Sequence, residues 1–183
     1  GGVDTLVRTF TVTVTAVNDP PVFDEFPPDL ASVLEDSTTG PLTITLSDVE
    51  GQAITLISST GNQALFPNAN VALGGSGYNR TISFTTATDQ NSAIVNPDFT
   101  EFNVTAIDAG GAQTTRTFRV DFVTAVDDAP QFAGGANQTV AEDAGAQSVA
   151  AWATAFQPGP NTATDEAGQT LVVQARCTFL TRE

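Results

Sequence analysis

From Thr9 to Thr15 the chain reads TFTVTVT, threonine alternating strictly with phenylalanine and valine, and the same habit returns in PLTITL from Pro41, RTISFT from Arg80 and TRTFRVDFV from Thr115. A period of two places alternate side chains on opposite faces of a β-strand, and β-branched residues suit the pleat because packing there costs them little further rotamer freedom. Threonine supplies 28 of the 183 residues, so this pattern governs most of the chain. The alternating runs are separated by GNQ, GGSG, DAGG and GGAN, where glycine supplies positive φ and Asn or Asp makes local hydrogen bonds. No stretch carries a sustained helical period; VAAWATAF from Val149 has room for one short turn. Short strands with frequent turns predict an all-β chain of the sandwich type.

A second regularity sets the domain plan. TAVNDPPVF, residues 15–23, returns as TAVDDAPQF, residues 124–132, so that Asp19 and Asp128, like Phe23 and Phe132, stand 109 residues apart. That is the size of one seven-stranded sandwich. Other landmarks recur in order: LEDS at Leu34 answers AEDA at Ala141, and SDVEGQAITL at Ser47 answers TDEAGQTLVV at Thr164. The predicted plan is a closing strand in residues 1–19, belonging to a preceding sandwich or a neighbouring copy, a complete domain in 20–128, and the first half of a further sandwich in 129–183. The final QARCTFLTRE departs from the repeat and is assigned to no element. A lone strand, Leu6 to Val17, beside a half sandwich leaves an unpaired edge and an open core. Strand addition between copies answers both, with Phe10, Val12 and Val14 turned inward, and such a contact repeated head to tail makes a filament.

Charge narrows the function. Six Lys and Arg stand against 21 Asp and Glu, a formal net charge of -15. Nucleic acid requires a basic surface to release its counterions, and anionic lipid requires the same sign, so both are excluded as partners. No apolar run is long enough to insert in a bilayer as a helix. Carboxylates are instead the hard oxygen ligands that calcium prefers. The chain has no histidine and a single cysteine, Cys177, which removes His-based triads, ordinary zinc sites and an internal disulfide. No catalytic residue is assigned. GGSG at Gly74 and AGGA at Ala109 lead into no helix and read as hairpin turns rather than phosphate cradles. Asp98 and Glu101 read as strand-end acids rather than a glycosidase pair, and Trp152 as a core residue, while Tyr78 and Trp152 are the only candidates for stacking on sugar. Cys177 reads as a small buried hydrophobe. Asn79, Asn103 and Asn137 begin N-x-T sequons, which matter in a glycosylating host. The chain opens without methionine and is read as a piece of a longer chain or a processed product.

FNVTAIDAGGAQTTRTFRVDFVTAVDDAPQF, residues 102–132, resembles the end of a cadherin repeat, and NQTVAEDAGAQSVAAWATAFQPGP with DEAGQTL is similar to the cadherin-like or immunoglobulin-like tandem repeats of large bacterial surface proteins. The resemblance implies tandem seven-stranded Greek-key β-sandwiches, one complete and two partial, with calcium held where one unit meets the next. The first junction it implies uses Asn18 and Asp19, Asp48 and Glu50, and Asp108. The second uses Glu35, Asp127 and Asp128, and Asp165 with Glu166. The plainer alternative is that these side chains cap turns and solvate a polar end. The implied role is a non-catalytic, secreted or surface-exposed structural and adhesive repeat, whose partners are further copies of itself, adjacent repeats, glycans or cell-surface proteins. A rival is a carbohydrate-binding accessory module, which calls for a row of exposed aromatics.

Overall fold

The computed structural model describes residues 1–174. The strands between Val22 and Thr124 form one β-sandwich. Its first sheet, in the order β1 (Val22–Glu25), β3 (Thr38–Ser47), β6 (Asn79–Thr85), β5 (Val71–Ser76), packs on a second ordered β4 (Thr55–Thr60), β7 (Thr100–Ile107), β8 (Gln113–Val120), and every pairing within the two sheets is antiparallel. Between β1 and β3 the chain leaves the first sheet. The short β2 (Val33–Leu34) there runs parallel to β9 (Val123–Thr124), Val33 opposite Val123 and Leu34 opposite Thr124. Seven principal strands in this order make the Greek-key connectivity of immunoglobulin-like and cadherin-like sandwiches.

The alternation seen in the sequence becomes burial. Along β7, Thr100, Phe102, Val104 and Ala106 are buried while Glu101 is exposed. From the first sheet Phe23, Ile44, Leu46, Ile82 and Phe84 meet Phe102, Val104, Phe118 and Val120 of the second. Aromatic rings form the spine of this core: Phe102 stacks on Phe118 with centroids 4.9 Å apart, and Phe66 meets Phe84 at 5.5 Å and Phe102 at 5.1 Å edge-on. Threonines on the outer faces pair across strands, Thr105 with Thr115 at 2.7 Å and Thr38 with Thr85 at 2.8 Å, which stabilises the register without burying anything. GGSG is the β5–β6 hairpin. Gly75 has φ +79°, and a Cβ there would lie 2.8 Å from the Arg80 Cα, so only glycine fits.

The flanking segments differ from this closed unit. Residues 1–19 form no ladder among the described residues, and Val3, Leu6, Val7, Phe10, Val12, Val14 and Val17 are all exposed. Among the described residues after 128 there are only β10 (Gln131–Gly134) and β11 (Ala153–Gln157), an antiparallel pair, and a 3-10 turn at Thr164–Gly168. The VAAWATAF stretch with room for a helical turn is a turn at Ala150–Ala151 that leads through Trp152 into β11. Trp152, expected in a core, is 43% exposed, because two strands cannot close a sandwich around it. Its indole N–H donates to the Ala136 carbonyl at 2.8 Å. Cys177 and the rest of the terminal segment beyond Gln174 lie outside the described residues.

Candidate metal centre

The sandwich carries acidic groups at both ends. At the end where the chain enters, Asn18 donates to Asp108 Oδ2 at 2.9 Å and accepts from the Gln52 side-chain amide, and the Asp19 backbone N–H points at Glu50 Oε2 at 3.4 Å. Asp48 Oδ1 accepts the Gln52 N–H at 2.7 Å, and Asp108 Oδ1 accepts the Ala112 N–H at 2.9 Å. The five residues expected at the first junction are therefore adjacent. They bond mostly to one another and to turn amides; Asp48 Oδ2 is buried with no partner.

The opposite end is more crowded. The β2–β3 turn carries Glu35 and Asp36, the long β6–β7 connection carries Asp89, and the chain leaving β9 carries Asp127 and Asp128. Carboxylate oxygens of Asp36, Asp89 and Asp128 all lie within 4.8 Å of one another, the one such group among the described residues. The Asp89 N–H donates to Asp36 Oδ1 at 2.9 Å, locking two turns together. Both aspartates sit in the left-handed region, φ 52° and 53°, which Asp tolerates better than most residues. Glu35 is 2% exposed, taking the Val126 N–H at 2.6 Å on one oxygen and the Asn91 amide at 3.2 Å on the other.

The next segment closes over this end. Glu166, on the 3-10 turn, is 2% exposed and accepts the Asp128 N–H at 2.7 Å, Thr162 donates to Asp89, and Gln169 donates to Asp127 at 2.8 Å. Gly159 makes room for the Glu166 carboxylate, since a Cβ there would collide with it and stand 3.3 Å from the Asp128 Cβ. Asp128 Oδ2, Asp165 Oδ1 and Glu166 Oε2 are buried without a hydrogen-bond partner. Burial of such oxygens unpaired is costly.

These surroundings shift proton affinity. Desolvation, then the charges of Glu166, Asp89, Asp36 and Glu35, push the Asp128 carboxyl up to about 6 from 3.8. Burial also raises Glu35, against the lowering effect of its Val126 and Asn91 hydrogen bonds, with Asp165 and Asp36 adding repulsion. A raised folded-state value means that the native state holds its proton where the unfolded chain has lost it. The stabilisation is full below 3.8 and disappears as pH rises through about 6. In a chelator, the denaturation midpoint is accordingly expected to be higher at pH 5 than at pH 7; a midpoint that climbs with pH across that window would contradict this electrostatic picture.

Of the residues expected at the second junction, Glu35, Asp128, Asp165 and Glu166 gather here, while Asp127 is exposed and turned to Gln169. Asp36 and Asp89 were not among them. Asp36 was within reach as the second acid of the LED motif, but Asp89 lies in TATDQNSA, a loop outside the LED, SDVEG and linker motifs. The donor set is all hard oxygen, and the unpartnered carboxylates repel one another in the absence of a cation, which fits a divalent ion such as calcium.

No protein-family model matches the chain, and no curated protein matches it. Among solved structures it is similar to the SrpA adhesin of Streptococcus sanguinis, at 16% identity and TM-score 0.46 over 67% of this chain and 68% of that one. It is also similar to the titin M3 domain, at 16% identity and 0.37 over 57% and 95%. The EC1-4 fragment of Drosophila N-cadherin follows at 20% identity and 0.43, over 63% of this chain and 27% of that one. At these values no ligand, partner or activity carries over from those proteins.

Proposed function

We propose that the chain is a non-catalytic structural and adhesive repeat of a secreted or surface protein, with calcium clamping the complete sandwich to the segment that follows it. The observation that carries this reading is the convergence of Asp36, Asp89 and Asp128 beneath Glu166, with carboxylate oxygens left unpartnered in the closed junction. Those residues come from the β2–β3 turn, the β6–β7 connection, the linker and the next unit, so one ion held there would fix a joint that is otherwise free to bend. Glu35 and Asp165 complete the oxygen shell, and Asn18, Asp19, Asp48, Glu50 and Asp108 form the matching half-site at the other end. Mixed carboxylate and carbonyl sites in extracellular modules fill at about 10⁻⁴ to 10⁻³ M calcium, which suits the outside of a cell. Copies then join head to tail through the exposed segment of residues 6–17, giving a filament of stiffened units.

Calorimetric titration of chelator-stripped protein with calcium chloride tests the clamp. Binding with a rise in melting temperature, reversed by EGTA, is the expected result. Absence of heat together with an unchanged melting curve would dispose of the site.

A further inference from the structure

The closed sandwich has four edge strands, two to a sheet, and three of them carry the devices by which sheets avoid pairing with a neighbour. β1 is four residues long, bulged between Phe23 and Glu25, with Asp24 and Glu25 inside it and Pro20, Pro21, Pro27 and Pro28 around it. β8 is covered: the Leu30 N–H donates to the Arg119 carbonyl at 2.7 Å, and the Asp121 N–H to the Leu30 carbonyl at 2.9 Å. β5 contains Gly74 and Gly75, the second at φ +79°, and glycine weakens a strand interior. β4, TLISST, has no charge, proline or glycine, and its register with β7 runs unbroken from Thr55 opposite Ile107 to Thr60 opposite Phe102.

Antiparallel ladders turn alternate residues toward one neighbour and then the other. The Gly61 N–H donates to the Glu101 carbonyl at 2.9 Å, so Thr55, Ile57 and Ser59 turn their backbone groups to β7, while Leu56, Ser58 and Thr60 turn theirs outward. Both ends of the outward row are closed. Asn68 Oδ1 accepts the Thr60 N–H at 2.8 Å, and Arg80 donates to the Ile54 carbonyl at 2.7 Å. Between them lies a window, Leu56 and Ser58, whose outward N–H and carbonyl groups meet no partner among the described residues.

Charge marks the same flank. Acids outnumber bases by 21 to 6 in the chain, yet from Gly51 to Asn79, through both β4 and β5, there is no charged residue. Two copies, each with a formal net charge of -15, repel one another least where these flanks meet. Ile57 is 54% exposed at the centre of the window, opposite Thr105 midway along β7. The chain enters and leaves the sandwich at its poles, Asn18 at Asp108 and Asp128 near Glu166, away from this flank.

We propose that β4 pairs antiparallel with β4 of a second copy about a two-fold axis at Ile57. Leu56 stands opposite Ser58 of the second copy and exchanges both backbone bonds with it, Ser58 does the same with Leu56, and every open group of the window is satisfied. Ile57 faces its own counterpart in the intervening pair, where no backbone bond is made and side chains come closest. The two three-stranded sheets become one sheet of six. The same window turned end for end supplies matching donors and acceptors, sets apolar Ile57 on Ile57 and brings no charge with it, which is why the occupant is a second copy. This lateral contact is separate from head-to-tail joining and from the calcium clamp.

Single cysteines in the full chain carrying Cys177→Ser test the register. Ile57→Cys places two thiols on a pair whose Cα atoms stand about 4.5 Å apart, within disulfide reach, and mild oxidation should give a covalent dimer. Ser59→Cys sets them about 14 Å apart along the strands and should stay unlinked. Ile57→Lys puts like charges opposite each other and should lower the average sedimentation coefficient at matched concentration while the chain keeps a cooperative melt. An Ile57→Cys chain that links no faster than Ser59→Cys, or an Ile57→Lys chain that associates as the native one does, would overturn the pairing. Neither outcome bears on head-to-tail joining, which runs through residues 6–17.

Discussion

Phe118→Asp is expected to abolish the folded state of residues 20–128. The ring is 1% exposed, stacks on Phe102 of its own sheet at 4.9 Å, and meets Phe84 of the facing sheet at 6.1 Å and Phe26, just past β1, edge-on at 5.9 Å, so it ties the two sheets together. Losing such a ring from a packed core costs about 3–5 kcal/mol. Placing an unpaired carboxylate there adds several kcal/mol, and the sum reaches the roughly 5–15 kcal/mol that holds an ordinary domain together. Far-UV circular dichroism and thermal melting read the result directly. Thr117→Asp, one residue away on the outer face where Thr117 bonds Asn103 at 2.7 Å, is the matched control and should change stability by no more than about 0.5 kcal/mol. A cooperative melt of Phe118→Asp near the native temperature would show that the strand faces the other way.

The paired substitution Asp36→Asn with Asp89→Asn is expected to reverse the sign of its effect with calcium. In EGTA it removes two of the charges that crowd Asp128, so the variant should melt above the native protein. In calcium it removes two ligands. Ligand linkage is worth about 2.7 kcal/mol at a hundredfold excess over the dissociation constant, and the variant should forfeit most of that. Melting curves of both proteins in both conditions make the measurement. Equal shifts in EGTA and calcium would remove Asp36 and Asp89 from the site and leave them as turn formers.

The sandwich was legible because its signal is local. Phe102, Val104 and Phe118 alternate with polar neighbours, and a period of two transfers directly to inside and outside. The joint that occurs twice, TAVNDPPVF and TAVDDAPQF, brackets the strands of the sandwich. The acidic cluster was only half legible, since topology assembles it from distant parts of the chain. Glu35 and Asp128 sit in recurring motifs, whereas Asp89 reaches the site through the β6–β7 connection, whose course depends on how Asn91 and Ser92 bond to Glu35 and Val123. Trp152 misled for a similar reason: an aromatic residue is buried only when enough strands surround it, and composition does not count strands.

The parallel pairing of β2 and β9 has a mechanical consequence. The two ends of the sandwich leave from opposite poles, and beyond β1, which pairs with β3, the entering chain is bonded side by side with the segment that closes the domain through Leu30 to Arg119, Asp121 to Leu30, Val33 to Phe122 and Glu35 to Thr124, at 2.7 to 3.0 Å. Tension along the chain therefore meets these four bonds in shear and strains them together, instead of peeling them apart in turn. Were such units strung in tandem, a pull along the string would load this clasp as well as the joints between them.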